Sequence, residues 1–159
     1  MKRHLMLAAS VCVAATTLHA DVILPDDVVT NEYGDIAESL TGVAGDPERG
    51  LEIMVTRGGG NCIACHQVTE LEDYPFHGEV GPSLDGVGAR WDEAALRGII
   101  ANAKNAFPDS VMPSFYRVSG FVRPGNGYTG RAAEGPLDPL LDAQGVEDVV
   151  AYLLTLTEY

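Results

Sequence analysis

The stretch that most constrains this chain is Cys62-Ile63-Ala64-Cys65-His66. Two thiols three positions apart can add across the two vinyl groups of a haem, and the histidine that follows directly is placed to ligate the iron. A chain built on this pattern needs no large aliphatic core of its own, because a flat apolar cofactor becomes the core and the polypeptide wraps it. Two other chemistries use the same residue types. A structural zinc site wants four Cys or His ligands, usually as two such pairs, and the sequence holds no second pair. A redox dithiol should follow a strand in a βαβ pattern, with a helix opening at the first Cys. Here Arg57-Gly58-Gly59-Gly60-Asn61 and a helical segment precede the motif instead.

The first residues read as a secretory signal over 1–20. Lys2 and Arg3 start it, Leu5 to Ala15 is an apolar run too short to span a bilayer, and Leu18-His19-Ala20 offers a small residue for cleavage. Val11 before Cys12 is bulkier than a lipoprotein cleavage site favours, so Cys12 is expected to leave with the signal. Cleavage after Ala20 leaves 139 of the 159 residues, a single-domain length. Cys62 and Cys65 are then the only cysteines; with both in thioethers, the mature chain has no disulfide, no free thiol and no cysteine nucleophile. Export together with this motif points to the periplasm. Ten basic residues less Lys2 and Arg3, against 23 acidic ones, give a formal charge of −15. Such a surface repels nucleic acid and anionic membrane; it suits a basic or mixed-charge protein partner, or serves solubility alone.

Residues 21–45 form an acidic arm with turn signals at Pro25, Gly34, Gly42 and Gly45, and one short periodic piece at Ile36, Ala37 and Leu40. It lies across its own domain, embraces another chain, or is a disordered leader. The domain proper is expected over 46–159. Asp46-Pro47-Glu48 is a helix start, Asp capping and Pro at the first helical position. Gly50, Ile53 and Met54 fall on one face of a helix running to about Thr56, and a glycine there, costing roughly 1 kcal/mol against Ala, hints at a close helix contact. Beyond His66, Gly81-Pro82-Ser83-Leu84 offers a rigid loop. A haem-ligating His needs its second ring nitrogen bonded to a fixed acceptor, and Pro82 either holds such a loop or is an ordinary turn proline. Arg90 and Trp91 either reach haem propionates or serve as surface and core.

Asp92 caps a second helix with Ala95, Leu96, Ile99, Ile100 and Ala103 inward, stopped by Phe107-Pro108. In Val111-Met112-Pro113 a thioether on a proline-held turn can approach the iron from the side opposite His66, a pairing that raises the reduction potential. Rivals for that position are His77, expected in solvent on the His66 side, Met54, expected in the core, or no protein ligand. Residues 117–141 are a Gly- and Pro-rich loop, too long to be idle, that forms a partner surface or covers the haem edge. Asp142 caps a last helix with Val146, Val149, Val150 and Leu153 at helical spacing. It should cross the Gly50 helix near Tyr152.

In this order, the helix, Cys-x-x-Cys-His, Gly-Pro-x-Leu, second helix, Met-Pro and terminal helix resemble a class I cytochrome c. Finer motifs carry the likeness further. Ser39-Leu40-Thr41, Gly45-Asp46-Pro47, Gly60-Asn61-Cys62, Gly81-Pro82-Ser83-Leu84, Val111-Met112-Pro113-Ser114-Phe115-Tyr116 and Val146 to Leu153 are similar to the SoxX family, the monohaem subunits of thiosulfate-oxidising SoxAX complexes. This resemblance covers about residues 36–159. It implies an all-α class I cytochrome c fold, small helices and long loops wrapped around one covalent haem c. It further implies thioethers at Cys62 and Cys65, iron ligation by His66 and Met112, and pairing with a SoxA-like haem protein in the periplasm. The complex, an L-cysteine S-thiosulfotransferase, joins thiosulfate oxidatively to a cysteine of a SoxYZ-like carrier, and this subunit takes up electrons for a downstream acceptor. One departure stands out: Arg123 to Pro139 is longer and richer in Gly than the family's usual loop. The competing functions are a free soluble cytochrome c shuttling electrons to an oxidase, and a haem-free Cys-x-x-Cys redox protein.

Overall fold

The computed structural model describes residues 21–126 and 129–158; the signal expected over 1–20, with Cys12, lies outside the described residues. Among the described residues, four α-helices form the body: α1 (Pro47–Val55), a single turn α2 (Val87–Arg90), α3 (Glu93–Asn102) and α4 (Ala143–Thr155). Short 3-10 turns stand at Pro25–Asp27, Cys62–Ala64, Thr69–Leu71 and Ala103–Asn105. Among the described residues, β structure is limited to one isolated bridge between Gly125 and Ala132. The all-α expectation therefore holds, and no helix is long and apolar enough to cross a membrane among the described residues.

The long helices start where their caps place them. The Asp46 carboxylate accepts from the Glu48 and Arg49 N–H groups, Asp92 from Ala95 and Asp142 from Gly145, each satisfying backbone donors that the first helical turn leaves orphaned. α1 crosses α4 at Gly50. A Cβ at that position would stand 2.1 Å from the Asp148 carbonyl oxygen and 2.8 Å from Tyr152 Cβ, so the expected crossing beside Tyr152 is made through a bare backbone. Met54, Leu96, Ile100, Val146, Val149 and Val150 meet behind it as the buried core.

α4 is buried more widely than its apolar stripe foretells, with Glu147 and Asp148 inside as well. Glu147 faces α3, where Arg97 is only 2% exposed. The Arg97 guanidinium donates from Nε to Glu147 Oε1 at 2.9 Å and from Nη2 to Oε2 at 3.0 Å, and also reaches Glu93. Burial alone would lower the Arg97 pKa, but the hydrogen bonds and charge of Glu147, with the charge of Glu93, more than offset it and hold it raised.

Of the three readings open for residues 21–45, the structure takes the first: the arm lies across its own domain. Ile36 and Leu40 are buried in the core. Leu40 N–H donates to Glu147 Oε1 at 2.6 Å, Ile36 N–H to the Ala94 carbonyl at 3.0 Å, and Arg97 Nη1 to the Ile36 carbonyl at 2.8 Å. The arm thus covers the flank of α4 and supplies backbone partners to the buried ion pair. Farther out, Tyr116 Oη donates to the Ile23 carbonyl at 2.7 Å and Ser119 Oγ to Asp26 Oδ1 at 2.5 Å.

Candidate haem site

The chain enters the Cys62 motif from a left-handed Asn61 (φ 50°) and winds Cys62–Ala64 into a 3-10 turn. His66 N–H closes that turn onto the Cys62 carbonyl at 3.0 Å. The segment that follows folds back over it: Gly78 N–H donates to the Ile63 carbonyl at 2.8 Å, Gly81 N–H to that of Cys65 at 2.7 Å and Leu84 N–H to that of Gln67 at 2.9 Å. These bonds bring Pro82 beside the His66 ring, whose Nδ1 lies 2.7 Å from the Pro82 carbonyl oxygen. A carbonyl can only accept, so Nδ1 carries the proton and Nε2 keeps its lone pair for a metal. Pro82 is therefore more than a turn proline. The fit leaves no room at its neighbour: a Cβ on Gly81 would stand 2.2 Å from His66 Cε1. Asp85 clasps the two strands of the loop, accepting from the Thr69 N–H at 2.8 Å and from its hydroxyl at 2.8 Å. That bonding, led by the backbone N–H of Thr69, holds the Asp85 carboxyl below the usual carboxylate range.

Cys62, Cys65, His66 and Met112 all line one cavity of about 1090 Å3. Its volume lies just above the ~300–1,000 Å3 common for small-molecule pockets, and its walls are mostly apolar, as a flat macrocycle requires. Leu84, Val87, Leu96, Ile100, Phe115 and Leu153 supply much of that wall. The distal side is carried by the segment after α3. Phe115 and Tyr116 N–H groups donate to the Ile100 and Ala101 carbonyls at 3.2 and 3.1 Å, and Ser114 Oγ donates to Asn102 Oδ1 at 2.7 Å. Met112 itself is held by Ser110 Oγ, which accepts from its N–H at 3.2 Å, and by Lys104 Nζ, which donates to its carbonyl at 2.7 Å. The residues present thus fit a haem with two thiols, one imidazole nitrogen and one thioether turned to the same cavity.

The rivals fare differently. His77 is not in solvent as expected: it is half-buried in the loop, its Nε2 3.0 Å from the Leu71 carbonyl and its Nδ1 accepting from the Val68 N–H at 3.4 Å, and it does not line the haem-sized cavity. Met54 does line it, but as a fully buried core residue of α1. Burial pushes the Cys62 thiol up to about 12, the opposite of the depressed pKa that makes a redox dithiol reactive. Among the described residues, no group of three or more His, Cys, Asp or Glu side chains is placed to hold a metal ion, which leaves a zinc reading without its ligands.

Arg90 and Trp91 both line the cavity. Arg90 donates to the Asp85 and Ser83 carbonyls at 2.6 and 3.2 Å, bracing the proximal loop, and Trp91 meets Phe107 edge to face with centroids 6.2 Å apart. Of the long loop's described residues, none between Tyr116 and Leu141 lines the cavity. Instead the loop packs beside the arm through Ser119 and Asp26. Sequence reasoning missed Asp85, Ser110 and Lys104. Lys104 left one visible signal, as the only lysine in residues 21–159.

The cytochrome c family model matches residues 47–157. Among solved structures, a chain of the crystal structure of SoxXA from P. pantotrophus is 55% identical, with a TM-score of 0.80, over 85% of this chain and 98% of that one. No curated protein gives a match. With this geometry, a family match over most of its length and that identity to a SoxXA chain, the protein is a covalent haem c protein and belongs to the cytochrome c family, in the branch that contains SoxX.

Proposed function

We propose that Cys62 and Cys65 hold the haem through thioethers, that His66 and Met112 ligate its iron, and that the chain is the electron-accepting subunit of a periplasmic heterodimer with a SoxA-like haem protein. The observation that carries the reading is the 55% identity to a SoxXA chain over 98% of that chain's length. A signal over residues 1–20 would deliver the chain to the compartment where the haem is attached.

Joining thiosulfate to a thiol of a SoxYZ-like carrier forms one S–S bond, releases the thiol proton and frees two electrons. A haem held by Cys62, Cys65, His66 and Met112 would supply acceptance and release of one electron at a time. With one such group the chain would take one electron of the pair, and the second would need another acceptor or a second event. With Cys62 and Cys65 in thioethers the chain offers no sulfur nucleophile, so the bond-forming thiol belongs to the carrier. The chain's own residues prepare the electron transfer. Pro82 fixes the tautomer and orientation of His66, Gly81 leaves the ring its space, and the apolar walls would limit the access of water to a bound haem.

Two surfaces suit a protein partner. Val80 and Val111, 70% and 80% exposed, rim the cavity mouth. The loop carries Arg117, Arg123 and Arg131 with no acidic residue between 117 and 133, a basic island on an acidic chain, next to exposed Phe121 and Val122.

Pure, the chain should show no sulfur transfer. With a SoxA-like protein and a SoxYZ-like carrier added, its ferric haem should become reduced when thiosulfate is supplied. Elution from its native periplasm as a lone monomer that passes electrons directly to an oxidase would replace this reading with that of a free shuttle.

A further inference from the structure

Met112 is held at both ends of its own peptide, by the Ser110 hydroxyl at its N–H and by the Lys104 ammonium at its carbonyl. The two ties differ in kind. The Ser110 bond is local, and Ser110 is itself carried by a turn, its N–H donating to the Phe107 carbonyl at 2.9 Å. The side chain just before Met112 gives no anchorage, since Val111 is 80% exposed. Anchors to the body of the domain through Ser114, Phe115 and Tyr116 all follow the methionine. Lys104 stands on the 3-10 turn that continues α3, and its bond fastens Met112 itself to the helix that walls the cavity.

We propose that Lys104 is the positioning residue of the distal ligand: its ammonium holds the Met112 carbonyl so that the thioether stays on the iron. This rests on the reading of Met112 as an iron ligand. A hydrogen bond from a cation is about twice as strong as a neutral one, and half-burial of Lys104 withdraws part of its competition from water. A compact charge on a long stem can meet a single carbonyl in this way, where a planar guanidinium favours a bidentate acceptor. The chain meets its other cationic needs beyond residue 20 with arginine alone.

The test uses the haem-loaded chain in its ferric state, with imidazole as a competing ligand. Imidazole binds the population whose methionine is off the iron, so its apparent affinity reports that fraction. Lys104→Met keeps the stem and removes the donor; it should tighten apparent imidazole binding about tenfold, the worth of one charge-assisted hydrogen bond. The weak long-wavelength band of methionine-ligated ferric haem should be lost at a lower temperature, and the midpoint potential should fall. Lys104→Arg, which keeps a cation and donors but in a geometry less suited to one carbonyl, should recover part of the wild-type affinity. Should Lys104→Met not accumulate, Lys104→Gln carries the same comparison with about a threefold expected change, because a neutral donor remains. Equal imidazole affinity in wild type and these variants, with the band intact, would overturn the proposal and leave Met112 ligation standing. A wild-type protein that lacks the band and binds imidazole as Met112→Ala does would instead overturn the ligation reading beneath it.

Discussion

Glu147→Gln tests whether the buried ion pair is what ties the arm to the haem domain. Arg97 and Glu147 side chains are 2% and 3% exposed, and both carboxylate oxygens accept from the guanidinium. Removing the charge of one partner of a buried pair costs about 3–5 kcal/mol, because the other charge is left uncompensated. Two features of the structure place the expected cost at the lower end. Glu93 still pairs with Arg97, and a glutamine carbonyl can still accept the Leu40 N–H. A loss of about 3 kcal/mol in a domain of this size lowers Tm by roughly 10 °C. Urea unfolding of the haem-loaded protein, followed by circular dichroism, measures it. In the double variant Arg97→Met, Glu147→Gln the uncompensated cation is gone, and the cost should be smaller than the sum of the two single changes by about 2 kcal/mol or more. A single-variant cost under about 1 kcal/mol, or strict additivity, would refute the reasoning.

Met112→Ala should abolish the long-wavelength band and lower the potential by roughly 100 mV or more, while His77→Ala, whose ring nitrogens are engaged by Val68 and Leu71, should leave the band in place; the reverse outcome would move the ligand to His77. Gly81→Ala places a Cβ 2.2 Å from His66 Cε1 and should cut the yield of haem-loaded protein, read from the haem absorbance per polypeptide; a normal yield and spectrum would show that the loop yields freely. Gly50→Ala sets a gain of about 1 kcal/mol in helix propensity against a Cβ 2.1 Å from the Asp148 carbonyl, and overpacking at about 1–3 kcal/mol should win; a raised Tm would contradict this. Asp85 has a folded pKa below that of a free aspartate, so the stability it lends is present above the free value and lost as pH falls through the lowered one; in Asp85→Asn the acid limb of a stability-against-pH curve should flatten, and an unchanged limb would remove Asp85 from the account.

Whatever depended on local chemistry could be read from the sequence. The Cys62 to His66 motif points to haem attachment, with a redox dithiol as its remaining rival. Asp46, Asp92 and Asp142 mark helix starts, because a cap satisfies N–H groups two or three residues away. Gly50 and Tyr152 announced a close helix crossing. The proximal acceptor was expected at the Gly81-Pro82 loop, although only the folded chain makes it the Pro82 carbonyl. What the tertiary structure decided concerns polar groups whose partners lie far along the chain. Glu147 meets the Leu40 N–H 107 residues away and Arg97 50 residues away, so a periodicity reading, which assigns charges to the solvent face, left both outside. The same holds for the arm, whose thin apolar pattern cannot say that Ile36 and Leu40 find a place in a core built by other segments. Exposed loops escape sequence reading for another reason: no local rule foretells that Ser119, at the start of the long loop, bonds Asp26 of the arm, 93 residues away. Helix starts and motifs are encoded by neighbours in sequence, whereas the partner of a buried charge is fixed only when distant segments exclude water together.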